Sequence, residues 1–181
     1  MATPPAGEAP WATALDVFTA HCGETAALVA VDRGVDGALV ERQLLYKDIV
    51  HFASTFTPPD LPLDARVAVA LPSTCGFAVL LIALWPHCTV APLSPTLTPT
   101  ECAFALADLP AAAAVVVGGG GVARSEAEKL GIPVLTLTES DASKPGFFRL
   151  DASTPLPFLA GRRGPARRGD VALVLFTSGT T

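Results

Sequence analysis

From Ala65 to Leu137 short apolar runs alternate with helix-patterned segments, at a spacing that leaves few ways to fold. Ala65–Leu71, Thr89–Leu93, Ala112–Val117 and Pro133–Leu137 read as buried strands, because their apolar residues run on without the polar alternation of a half-exposed strand. Gly76–Trp85, the stretch from Thr98 to Leu109, and Ala123–Leu130 read as the helices between them. Strands and helices alternating this closely imply an α/β fold, a mostly parallel sheet with helices on both faces. Two helix starts carry their own signals. Thr98-Pro99-Thr100-Glu101 puts a threonine at the cap, proline at the first helical position and glutamate at the third, the residue types of a capping box. Ser73 or Thr74 is the cap expected for Gly76–Trp85, and Pro110 ends the helix before it.

Composition supports burial. Half of the 181 residues are apolar and only 16% are charged, so most segments must lie in packed layers rather than in solvated tail. A net charge of −5 without a basic stripe excludes a nucleic-acid surface as partner. No Asp, Glu, Lys or Arg occurs between Val67 and Thr100, which raises the question of a membrane span. Prolines at 72, 86, 92, 95 and 99 leave its apolar core well short of the ~20 residues a span requires, so a buried helix is expected and no transmembrane segment. The start lacks the basic and apolar regions of a secretory signal, the ground for a cytoplasmic reading. Cys22, Cys75, Cys88 and Cys102 form no CxxC pair and read as reduced, buried thiols. The adjacent pairs His21-Cys22 and His87-Cys88 lack the spacing of a metal site.

Around this centre, residues 1–10 read as a flexible leader and residues 11–181 as part of one domain. Trp11–His21 reads as a short amphipathic helix, Thr25–Val31 and Ala38–Leu44 as the arms of a hairpin turning at Asp32–Gly37, and Leu45–Phe56 as a helix with Leu45, Ile49, Phe52 and Phe56 on one face. Thr57–Leu63 is a proline-rich break. Ser140–Gly169 reads as an irregular surface connection whose Arg162, Arg163, Arg167 and Arg168 form a solvated face. It leads to Val171–Phe176, an apolar run expected to be a strand buried on both faces. Thr177, Ser178, Gly179, Thr180 and Thr181 follow at once, four hydroxyls around one glycine, where backbone N–H groups and side-chain donors can converge on an anion. Such a loop leaving a strand's carboxyl end is where open α/β sheets bind ligands, and it reads as a cradle for a polyphosphate.

VALVLFTSGTT resembles the first half of the signature of the adenylate-forming (AMP-binding) ligase superfamily, which includes acyl-CoA synthetases, luciferases and peptide-synthetase adenylation domains. The run ARVAVALPSTCGFAVLLIALWPHCTVAPLSPTLTPTE at Ala65–Glu101 is similar to that family's passage from strand through apolar helix to a strand ending in Pro-Leu-x-Pro, and LLYKDI at Leu44–Ile49 to its early helix. One departure is Pro86-His87-Cys88 where the family usually has Lys-Ala-Gly, so the helix end lacks its glycine cap. The resemblance implies the first part of the large amino-terminal domain of such an enzyme, ending inside the phosphate loop. It further implies ATP, Mg2+ and coenzyme A as cofactors, a small-molecule carboxylate as substrate, and an acyl-adenylate passed to a thiol. A peptide-synthetase-type adenylation domain is the alternative. Thr177, Ser178, Gly179, Thr180 and Thr181 are the residues it assigns to ATP. The adenine pocket, magnesium ligand, ribose-binding aspartate and catalytic lysine of the family match no residue here, so the chain alone is expected to be inactive.

Two other readings compete. VVVGGGGVA at Val115–Ala123 fits the relaxed dinucleotide fingerprint through Gly118, Gly120 and Ala123, with Glu139 placed for a ribose contact, although four glycines in a row satisfy almost any glycine spacing. A non-catalytic interaction fragment is the other. The P-loop lysine motif and the GxSxG elbow are both absent from the sequence.

Overall fold

A computed structural model of the chain describes residues 14–20, 23–33, 37–119, 121–140 and 143–176. It contains a five-stranded sheet formed by β3 (Arg66–Ala70), β4 (Thr89–Pro92), β5 (Ala113–Val117), β6 (Val134–Glu139) and β7 (Phe148–Ala152) in the order β4-β3-β5-β6-β7. The first four strands run parallel, and β7 closes the far edge antiparallel to β6. A separate antiparallel hairpin pairs β1 (Ala26–Arg33) with β2 (Leu39–Leu45).

The parallel strands bury both faces, and the residues divide by parity. Val67, Val69, Val90, Val115, Leu135 and Leu137 point into one core, packed by α2 (Tyr46–Thr55) and α3 (Cys75–Leu84). Ala68, Ala70, Ala91, Ala114 and Val116 point into the other, packed by α4 (Pro99–Asp108) and α5 (Val122–Lys129). The second face is mostly alanine, so Leu106 and Leu109 of the α4 region supply its bulk. The α/β sheet with helices on both faces is thus the architecture observed.

α3 explains the uncharged stretch. Its outer side is covered in turn by α1 (Ala14–Ala20), α2 and β1, so apolar residues around the whole helix find partners. Val79, Leu80, Ala83 and Leu84 are fully buried. No helix among the described residues is long and apolar enough to cross a membrane. The Thr74 hydroxyl accepts the Phe77 N–H at 3.4 Å, which identifies the cap. At the other end the amides of His87 and Cys88 both donate to the Leu84 carbonyl, at 2.8 and 3.0 Å, so the helix closes without a glycine. The capping box of α4 forms as its residue types require: Thr98 Oγ1 accepts from the Glu101 N–H at 3.3 Å, and the Glu101 carboxylate accepts from the Thr98 N–H at 2.9 Å.

β7 lies inside the stretch expected to be irregular. Its place is fixed by Phe147, which stacks on Phe52 of α2 with ring centroids 4.6 Å apart, by Phe148, which meets Phe52 edge-on at 5.0 Å, and by an ion pair between Lys144 and Asp48 at 2.9 Å. Burial pushes the Asp48 carboxyl up, but hydrogen bonds from Lys144 and the Leu45 amide outweigh it and hold the group below its ordinary value. The helix expected over Trp11–His21 is seen at Ala14–Ala20, its ends lying outside the described residues, as do the leader and Cys22.

Replacing Leu80, fully buried in the core on the α3 side of the sheet, by Ala is expected to cost ~2–5 kcal/mol in urea unfolding, against about 1 kcal/mol for Thr98→Ala at the α4 cap.

Candidate functional site

All five residues assigned to phosphate, Thr177–Thr181, lie outside the described residues. The segment that carries them is described to Phe176. Residues 170–176 run beside β4 in the parallel sense, bridged at Val90 and Leu173, with Val90 N–H donating to Ala172 O and Val174 N–H to Val90 O, both at 2.9 Å. The chain at Phe176 therefore heads to the carboxyl edge of the parallel sheet. Phe176 lines a cavity of about 760 Å³ there with Leu93, Ser94, Leu97, Glu101 and Phe104.

The expectation of a strand buried on both faces is corrected. The segment makes one isolated bridge rather than a ladder, and Val171 and Leu175 are 59% and 63% exposed. Val174 packs on the α4 core, whereas Val171 and Leu175 alternate to the side that neither α2 nor α3 reaches. An apolar run becomes a doubly buried strand only where other elements cover both its faces, and among the described residues one face here stays open.

The arginine-rich connection is more structured than the solvated face expected of it. Leu63 N–H donates to Arg162 O at 2.9 Å, Arg163 Nε to Asp60 Oδ1 at 2.7 Å, and Ala166 N–H to Pro86 O at 2.9 Å. The Arg163 guanidinium also sits 5.2 Å from the centre of the Phe158 ring. Gly161, at φ +151°, lies so close to Pro62 that a Cβ would come within 2.5 Å of it. Arg162 pairs with Asp170, whose carboxylate also accepts the Arg167 amide at 2.6 Å. These hydrogen bonds hold the Asp170 carboxyl below its ordinary value, the Arg162 contact most strongly. The connection thus crosses the amino ends of β3 and β4 under restraint. A buried hydroxyl then meets the arriving segment: Thr89, 3% exposed at the start of β4, donates to Val171 O at 2.7 Å.

At the rival glycine site the described residues are engaged otherwise. Gly118 follows β5 at φ +63°, and Gly120 lies outside the described residues. Arg124, from the first turn of α5, donates to Gly118 O at 3.2 Å and to the Thr136 hydroxyl, so a guanidinium already lies across the ends of β5 and β6. Glu139 faces a different cavity of about 270 Å³ with Arg42, Ser73, Thr74 and Cys75. Nothing in the sequence pattern foretold Arg124.

Among the described residues no three His, Cys, Asp or Glu side chains come together as a metal site. Cys75, Cys88 and Cys102 are not in disulfides, and burial pushes the Cys88 thiol up to about 12.

The family model described as AMP-binding enzyme matches residues 19–181. No curated protein matches the sequence. The fold superposes on the structure of CmiS6 with a TM-score of 0.72 at 15% identity, covering 97% of this chain and 41% of that one. For a long-chain-fatty-acid-CoA ligase, FadD1, from Archaeoglobus fulgidus, the TM-score is 0.60 at 19% identity, covering 92% and 34%. The amide bond synthetase McbA from Marinactinospora thermotolerans gives 0.60 at 26% identity, covering 93% and 32%. The chain spans between about a third and two-fifths of the length of these structures.

Asp170→Asn is expected to loosen the restrained connection, so that trypsin at pH 8 cuts after Arg162–Arg168 about two- to ten-fold faster. The carboxylate's folded value is lowered, so its contribution is complete above the ordinary value of 3.8 and lost as pH falls through the folded value. Hydrogen exchange at the Arg167 amide is expected to converge between variant and wild type in that acid range.

Proposed function

The chain belongs to the AMP-binding enzyme family, and on that premise we propose that the protein carrying it activates a small carboxylic acid with ATP and passes the acyl group to the thiol of coenzyme A. A carboxylate oxygen attacks the α-phosphorus, the bond to the bridging oxygen of pyrophosphate breaks, and acyl-adenylate forms. The thiolate sulfur then attacks the acyl carbon and AMP departs. The observation that supports this reading is the course of residues 170–176, which run parallel to β4 toward the carboxyl edge of the sheet, with the hydroxyl-rich residues 177–181 next in the sequence.

Each role follows from charge. In-line attack builds negative charge on phosphate oxygens, which preorganised donors must hold. Thr177, Ser178, Thr180 and Thr181 offer hydroxyl donors, and Gly179 lets an oxygen approach the backbone where a Cβ would stand in the way. Mg2+ arriving with the nucleotide would share that charge on the phosphate oxygens; no residue of this chain is assigned to it. The names of FadD1 and McbA differ in the bond their enzymes make, a CoA ligase in one case and an amide bond synthetase in the other. The acceptor is therefore decided by supplying coenzyme A or an amine once acyl-adenylate has formed.

In the protein carrying these residues, Gly179→Val is expected to slow carboxylate-dependent exchange of pyrophosphate into ATP roughly ten- to a hundred-fold, through strain or lost contacts of about 1–3 kcal/mol. Ser178→Ala removes one of four hydroxyls and is expected to cost about 0.5–1.5 kcal/mol. Near-normal rate and ATP dependence in Gly179→Val would remove the phosphate assignment.

A further inference from the structure

The segment that leads into residues 177–181 is poorly specified by its own sequence. Residues 171–176 read VALVLF, apolar at every position, so sliding it past β4 by one residue exchanges one apolar face for another. Register is firmly specified only where such a slip would expose apolar residues or bury polar ones, and this run offers neither penalty. Among the described residues its backbone-to-backbone hydrogen bonds to the sheet are two, both to Val90. Either bond could form in a neighbouring register, because a backbone carries the same groups at every residue. Yet a slip of one residue moves everything downstream by about 3.3 Å. Phosphoryl transfer tolerates misplacement of roughly 1 Å before rates fall about a hundred-fold.

Side chains at the segment's start can tell the registers apart, the Asp170 carboxylate by its own identity and Thr89 by where it holds the next residue. Thr89 is buried and polar at the edge where the segment arrives. Its amide donates to Ala65 O at 3.0 Å, which ties the residue into β4. Its hydroxyl has one proton and two carbonyls in reach, Val171 O at 2.7 Å and Leu63 O at 3.4 Å. The short contact is the one across to the segment. Val171 lies immediately after Asp170, which Arg162 and the Arg167 amide hold from the other side. The point where the connection becomes the edge segment is thus gripped from both directions.

We propose that Thr89 is a positioning residue for the phosphate loop, its buried hydroxyl holding Val171 O beside the Arg162-held Asp170 and so fixing the register in which residues 171–176 run along β4. The proposal rests on the phosphate reading of that loop for its functional consequence, though the hydroxyl contact itself does not depend on it. Thr89 touches no substrate; it acts through the backbone of the segment.

Thr89→Val keeps the shape of the side chain and removes only the hydroxyl, and Thr89→Ser keeps the hydroxyl. Hydrogen exchange on the 181-residue chain reads the clamp directly at the amide of Val174, which donates to Val90 O. Loss of an ordinary hydrogen bond is expected to speed exchange there about five- to ten-fold in Thr89→Val, with Thr89→Ser close to wild type. The amides of Ala112 and Ala114, which donate to Arg66 and Pro133 within the sheet, are expected to be unchanged. Equal exchange at Val174 in wild type and Thr89→Val overturns the proposal, and so does an equal acceleration at all three amides, which would mark a general loss of stability. In pyrophosphate exchange by the protein carrying these residues, Thr89→Val is expected to raise the KM for ATP about five- to ten-fold with the carboxylate KM unchanged, and Thr89→Ser to restore it. A faster Val174 amide with an unaltered KM for ATP overturns the link to the loop. Absence of any exchange in wild type defeats the ligase reading instead, and the Val174 amide then decides the register clamp alone.

Discussion

β3 is the strand from which the other layers hang. It is hydrogen-bonded along both edges, to β4 and to β5, and its residues alternate between two cores. Val67 and Val69 enter one with α2 and α3, and Ala68 and Ala70 enter the other with α4 and α5. A strand paired on both sides and covered on both faces has no tolerance for a polar side chain within it, which is why RVAVA carries its one charge at the first position. There Arg66 reaches the Leu109 carbonyl at 3.2 Å, capping the end of the α4 region rather than entering the core.

The asymmetry between the two cores determines where the molecule is open. On the α3 side, three further elements close over the sheet, and the aromatic cluster of Phe52, Phe56, Phe147 and Phe148 extends that layer to β7. On the other side, among the described residues, α4 and α5 cover an alanine-rich face. The edge segment joins at β4, beside α4, and its apolar side chains outnumber the partners available among the described residues. The end of the described edge segment thus stands at an open corner of the sheet, at the 760 Å³ cavity that Phe104 and Phe176 line. Nucleotide loops need such access, because a loop sealed in a core could neither admit a polyphosphate nor satisfy its own backbone groups.

Chain placement at that corner is achieved by polar contacts, although the segment being placed is apolar. Arg162 with Asp170, Arg163 with Asp60, and Thr89 with Val171 O act at the amino ends of the strands, while the proposed chemistry lies at the carboxyl ends. Apolar contact supplies affinity between the segment and the sheet but little direction. Hydrogen bonds to particular atoms supply the direction.

Much was legible before any coordinates. The alternation from Ala65 to Leu137, the α4 capping box and the sheet with helices on both faces follow from local rules, because each buried strand or helix start needs particular residue types within a few positions of itself. The family resemblance was legible for a similar reason, since its motifs are continuous in sequence. β7 was not, because its strand status comes from Phe147 and Phe148 finding Phe52, nearly a hundred positions earlier. The arginine contacts of the connection and the partial exposure of Val171–Phe176 were likewise hidden. Local pattern tells a residue whether it is to be buried. Which element does the burying, and whether one face is left open, depends on groups distant in the chain, and only the tertiary structure brings those together.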